Sequence, residues 1–90
     1  MSAPEHVDPQ SGWTISSGAL ERSFTFPDFA AALAFVTTVA AAAEAANHHP
    51  DIAFGWGHAS VRWTTHSAGG ITPLDSELAC RTDQLAAVTP

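Results

Sequence analysis

The stretch Glu44-Ala45-Ala46-Asn47-His48-His49-Pro50-Asp51-Ile52-Ala53-Phe54 decides the fold, because the period of the sequence changes inside it. Pro50 pushes the residue before it out of the helical region, so a helix arriving from the N-terminal side must stop by His48-His49. Beyond the proline, Ile52, Phe54 and Trp56 alternate with Asp51, Ala53 and Gly55, the period of a half-buried strand. Gly57 marks a turn. Ala59, Val61, Trp63 and Thr65 then alternate with Ser60, Arg62 and Thr64, so the two runs read as a hairpin with its turn at residues 56–59. On the other side of the stretch, Asp28 follows Pro27 as a helix N-cap, and the helix is expected from Phe29 to about Asn47. Phe29, Leu33, Val36 and Ala40 form its expected apolar stripe, widened by Phe35 and Val39. Alanine makes the remainder apolar nearly all round, as in a helix covered on more than one side.

Further out, Leu20, Phe24 and Phe26 point one way and Glu21, Ser23 and Thr25 the other, with Arg22 the exception on the apolar side. With Trp13-Thr14-Ile15 and a turn at Ser16-Ser17-Gly18, this predicts a first hairpin. After a loop at Ser67–Gly70, Thr72 (N-cap), Pro73 (N1) and Asp75 (N3) open a last helix whose apolar face is Leu74, Leu78, Leu85 and Val88. The order is β-β-α-β-β-α. It predicts an α+β, two-layer sandwich: a four-stranded antiparallel sheet with helices on one face. Residues 13–88 form the expected single domain. Residues 1–12, with Pro4, Pro9 and Gly12, read as a flexible N-terminal tail.

Composition narrows the function. Eighteen of 90 residues are Ala, so a private core is thin and a homo-oligomer is expected. Arg22, Arg62 and Arg81 are the only cationic side chains against nine Asp and Glu, a net charge of −6. A direct nucleic-acid binder needs a basic patch, which these residues cannot build. The most apolar run, Phe29–Ala43, is fifteen residues long, short of the roughly 20 of a membrane span. The single Cys80 and the lack of a signal-like start fit the cytoplasm.

Chemistry concentrates in the histidines. Glu44 and His48 are spaced i, i+4 on the expected helix, His49 follows, and the hairpin returns His66 toward the same place. Three readings fit: surface histidines near a helix C-terminus, a metal site from Glu44, His48 and His66, or general acid–base catalysis with Glu44 orienting an imidazole. Spacing alone does not separate the last two.

Residues 44–51 also match a longer pattern. Trp56 comes six residues after Pro50, Thr65-His66 closes ten residues after Trp56, and Asp75 comes nine after His66. Gly12-Trp13 and Ser23–Phe29 add to it. Together these resemble the pterin-4a-carbinolamine dehydratases (4a-hydroxytetrahydrobiopterin dehydratases) over about Gly12 to Leu85. The resemblance implies the same antiparallel α+β fold, assembling as a dimer or tetramer. It implies dehydration of a 4a-hydroxytetrahydropterin to the quinonoid dihydropterin, downstream of an aromatic amino acid hydroxylase, with no metal and no cofactor. It assigns His48, His49 and His66 to acid–base work and pterin contact, with Glu44 orienting His48. Trp13 would lie along the pterin, and Pro50 and Asp75 would shape its pocket.

The chain departs from the family in three places. The leucine-bearing N-terminal helix of many members is absent or rudimentary. Asn47 stands where some have Asp, and Leu74 stands where a basic residue is common. The alternative function on this fold is a non-catalytic one, as an assembly factor or a transcriptional dimerisation cofactor.

Overall fold

A computed structural model describes residues 12–89. The expected tail at 1–12 lies, apart from Gly12, outside the described residues. Strands β1 (Thr14–Ser16) and β2 (Ala19–Thr25) precede helix α1 (Phe29–Ala46); β3 (Asp51–Gly55) and β4 (His58–Trp63) follow, and helix α2 (Pro73–Ala87) closes the order. The sheet is antiparallel with strand order β1-β2-β4-β3, so β2 and β4 are the central strands. Both helices pack on one face: α1 over β3 and β4, α2 over β2 and β4.

Each element starts and stops for a local reason. Ser17 and Gly18 both take positive φ (50° and 75°), which gives the tight β1–β2 turn the twist of its strands. Asp28 caps α1 by accepting from the Ala31 N–H at 2.9 Å. The β3–β4 turn is tighter than the sequence predicted, only Trp56-Gly57, with Gly57 at φ 77°. Asp51 therefore faces Arg62.

The inner face of the sheet supplies Leu20, Phe24, Ala59, Val61 and Trp63, all buried. The stripe that α1 lays on it differs from the expected one. Ala32, Phe35, Val39 and Ala43 are buried, whereas Phe29 and Leu33 are each 45% exposed. Alanine at both ends of the stripe lets the helix approach closely, and the Phe35 ring fills the middle, 4.9 Å from Phe24 and 5.0 Å from Phe26. Phe29 instead meets Phe54 on the edge strand β3, ring centroids 5.5 Å apart. At 18 residues and mean hydropathy 1.7, α1 has the length and composition of a membrane span, as the core helix of a soluble protein can, and here its Ala32, Phe35, Val39 and Ala43 are buried against the rest of the fold.

Arg22, the charged exception on the apolar side of β2, is explained by α2. Its guanidinium lies 4.8 Å from the Phe24 ring centroid and pairs with Asp83 at 2.8 Å. The same carboxylate accepts from Trp13 Nε1 at 2.9 and 3.0 Å. Asp83 thus ties the first hairpin to the last helix.

The two faces of α1 predict different sensitivities. Phe35→Ala should cost about 3–5 kcal/mol of unfolding free energy, as for other buried aromatic truncations. Thr37→Ala, at an exposed position, should stay within about 0.5 kcal/mol. Urea unfolding of the two variants checks this.

Candidate active site

The site is built where α1 ends. Asn47 caps the helix in the left-handed conformation at φ 52°, and its N–H and that of His48 bond back to Glu44 and Ala43 carbonyls at 3.1 Å each. Asn is well suited to that conformation, which gives the departure at this position a structural reason. The reversal takes His48 off the helix face. The i, i+4 relation with Glu44 therefore does not apply, and the expected Glu44–His48 pair is not formed.

Two separate pairs form instead. His48 turns inward, and its Nε2 lies 2.7 Å from Oδ1 of Asp75, the N3 residue of α2. The His48 ring is stacked on Trp63, nearly parallel at 6° with centroids 5.9 Å apart. Trp63 is itself fixed by donating Nε1–H to Thr82 Oγ1 at 3.0 Å. His49 turns outward, and its Nε2 lies 2.5 Å from Glu44 Oε2. Both partners there are well exposed, so that pair is screened and contributes little to stability.

Asp75 is completely buried. Its Oδ2 accepts from Thr65 Oγ1 (2.6 Å), Thr72 N–H (2.8 Å) and Thr72 Oγ1 (3.1 Å). Burial pushes the carboxyl up. The hydrogen bonds from Thr65, the Thr72 N–H, His48 and the Thr72 hydroxyl outweigh it and hold the group below its ordinary value.

His66 opens a single 3₁₀ turn (His66–Ala68) directly after Thr65, exposed and without a side-chain hydrogen bond among the described residues. Pro50 is half-buried between His49 and β3. Trp13 differs from expectation. At 4% exposure its ring is inside the core, edge-on to Phe24 and held by Asp83, and the structure does not bring it to the histidines. Leu74 helps line a groove of 360 Å³ with Ala46, Glu77, Leu78, Cys80, Arg81 and Gln84, which touches the histidine group only through chain neighbours. Among the described residues, no three of His, Cys, Asp and Glu converge as a metal-ligand set.

Sequence reasoning missed Thr72, Trp63 and Thr82 as parts of the site. Thr72 was legible only as a cap and Trp63 only as a strand residue. Thr82, in the middle of a helix, carried no signal.

A chemically ordered site thus stands on a ββαββα sandwich: one partly buried imidazole held by a buried carboxylate, with exposed imidazoles at the next residue, His49, and after Thr65, at His66. The chain belongs to the family described as Pterin 4 alpha carbinolamine dehydratase, whose profile matches residues 2–85. It is 51% identical over 78 residues to a Cupriavidus pinatubonensis protein named "Putative pterin-4-alpha-carbinolamine dehydratase 1", covering 84% of this chain and 67% of that one. A crystal structure of a transcriptional coactivator/pterin dehydratase from Brucella melitensis superposes with a TM-score of 0.80 at 35% identity, covering 83% of this chain and 82% of the other. A pterin dehydratase-like protein described as a RuBisCO assembly factor in the alpha-carboxysome gives a TM-score of 0.71 at 25% identity, over 90% of this chain and 96% of that one.

The buried Asp75 carboxylate sets an acid limit on stability. Because the folded Asp75 carboxyl sits below its ordinary value of 3.8, its contribution is fully present above that pH and is lost as pH falls through the folded value. Asp75→Asn should lose about 1–3 kcal/mol at neutral pH, because the amide nitrogen cannot accept from the donors that now meet a buried carboxylate oxygen. The gap from wild type should shrink below pH 3.8. Urea unfolding at pH 7 and at pH 3 measures both.

Proposed function

We propose that the protein dehydrates 4a-hydroxytetrahydropterins to the quinonoid dihydropterin plus water, as a hydro-lyase in tetrahydrobiopterin recycling. The observation that supports this reading is the His48–Asp75 pair at the end of α1, with His49 next in the chain and His66 following Thr65, which touches His48, in a chain of this family. The leaving 4a-hydroxyl is poor until protonated, and the ring must lose its N5 proton. Both transfers run near neutral pH, where imidazole serves as acid and as base. His49 and His66, both exposed, carry the proton transfers. Glu44 orients His49, and His48, held by Asp75, binds and positions the pterin. Pro50 fixes the backbone between His49 and β3. An aromatic amino acid hydroxylase is the source of the substrate, and the cytoplasm is the compartment that suits the free, exposed Cys80.

The reading includes a homodimer or homotetramer. Phe29 and Leu33 lie one turn apart on α1, Phe54 packs against Phe29, and Trp56 beyond it is 71% exposed. An apolar margin of this kind marks an interface. Light scattering at micromolar concentration should give a multiple of 9.4 kDa; a 9.4 kDa particle refutes the oligomer.

A second reading follows from the structural neighbours described as a coactivator and as a RuBisCO assembly factor: a non-catalytic binding role on the same fold. An optical assay with chemically generated 4a-hydroxytetrahydropterin separates the two. His49→Ala and His66→Ala should each lower kcat by about tenfold or more, within the usual range for a positioned acid or base. The double variant should lose less than the product of the two if they act together. His58→Ala serves as the control. His58 starts β4 opposite Gly55, away from His48, His49 and His66, and its loss should leave kcat within about twofold. No turnover by the wild type would favour the binding role.

A further inference from the structure

The two buried polar side chains of the described core, Asp75 and Thr82, both act on one ring. Asp75 holds an edge of His48, and Thr82 holds Trp63, whose face lies against that ring. Hydrogen counting says more. The Thr65 hydroxyl has one hydrogen, and at 2.6 Å it goes to Asp75 Oδ2, which can only accept. In the remaining Thr65 contacts its oxygen is therefore an acceptor. The Thr72 hydroxyl, 3.0 Å away and 3.1 Å from Oδ2, has one hydrogen to share between the two, and His48 Nε2 points toward the Thr65 oxygen at 3.4 Å. Nε2 thus faces two acceptors, Asp75 Oδ1 and Thr65 Oγ1, and must carry a hydrogen. Thr65 is anchored for this role by its backbone pair with Gly70, at 2.9 and 3.2 Å.

We infer that Thr65 and Thr72 are positioning residues for His48: they occupy Asp75 Oδ2 with three donors, leave Oδ1 for the His48 Nε2–H, and so fix the imidazole with a bare Nδ1 as the nitrogen presented to substrate. The link to substrate rests on the dehydratase reading; the hydrogen-bond assignment does not. Nδ1 has no hydrogen-bond partner among the described residues. A threonine clamp on the carboxylate also keeps Asp75 an acceptor when the ring is neutral, because a proton on Oδ2 would collide with three donors.

The test uses the full chain with ¹⁵N-labelled histidine. Long-range ¹H–¹⁵N spectra, taken where the rings are neutral, should show His48 protonated at Nε2 and bare at Nδ1. Thr65→Val keeps the shape and removes the hydroxyl. It should move the His48 pattern toward a mixture of tautomers and lower kcat about tenfold, a typical effect of losing a partner that orients a histidine. Thr65→Ser restores the hydroxyl and should return both readouts to within about twofold of wild type. Should Thr65→Val not fold, Thr72→Val, which keeps the backbone N–H on Asp75, carries the same expectation. A wild-type His48 protonated at Nδ1 overturns the assignment, as does an unaltered tautomer pattern in the valine variant. If the wild type has no dehydratase activity, the functional reading fails, while a shifted tautomer in Thr65→Val still supports the clamp.

Discussion

A single carboxylate without access to water organises the functional end of this protein. Asp75 belongs to α2, yet its hydrogen bonds reach the loop after α1 through His48, the end of β4 through Thr65, and its own helix start through Thr72. An isolated buried carboxylate would be driven neutral. Four donors reverse that, so the charge persists only while three segments of chain stay in place. The site and the docking of α2 are therefore one cooperative unit.

The other end of the fold is organised by a different carboxylate of α2. Asp83 gathers the Trp13 indole and the Arg22 guanidinium, and it is only partly buried. The helix thus presents a dry acid to the histidine and a wetter one to the first hairpin. Between them Leu78 and Ala79 pack on the sheet with Thr82 beside Trp63. α1 contributes mainly apolar contact, through a stripe narrow enough to leave Phe29 and Leu33 outside.

Local signals made the fold legible in sequence. Pro50, the capping residues and the alternation of β2, β3 and β4 each act over a few residues, and the described strands and helices follow them closely. The apolar stripe of α1 was misplaced because an alanine-rich helix has no polar face to orient it, so which side faces the sheet is settled by how Phe35 packs between Phe24 and Phe26. The site was legible as a set of residues and not as a set of partners. Spacing paired Glu44 with His48. The actual partner, Asp75, lies 27 residues away and is reached only because Asn47 breaks the helical register. Trp13 showed the same limit: its indole N–H is satisfied by Asp83, 70 residues away, a partner that no local rule identifies.

The placement of the arginines has a consequence for handling the protein. With no lysine in the sequence, trypsin has only Arg22, Arg62 and Arg81 to cut after. Arg22 and Arg62 sit in β2 and β4, the two central strands: Arg62 is paired on both sides, with Glu21 and Asp51, and Arg22 is paired with Val61 of β4. A protease needs an extended, unpaired segment, so cleavage at either site requires the sheet to open. For those two bonds, the rate of tryptic digestion is a gauge of the opening of the whole sheet and not of loop motion.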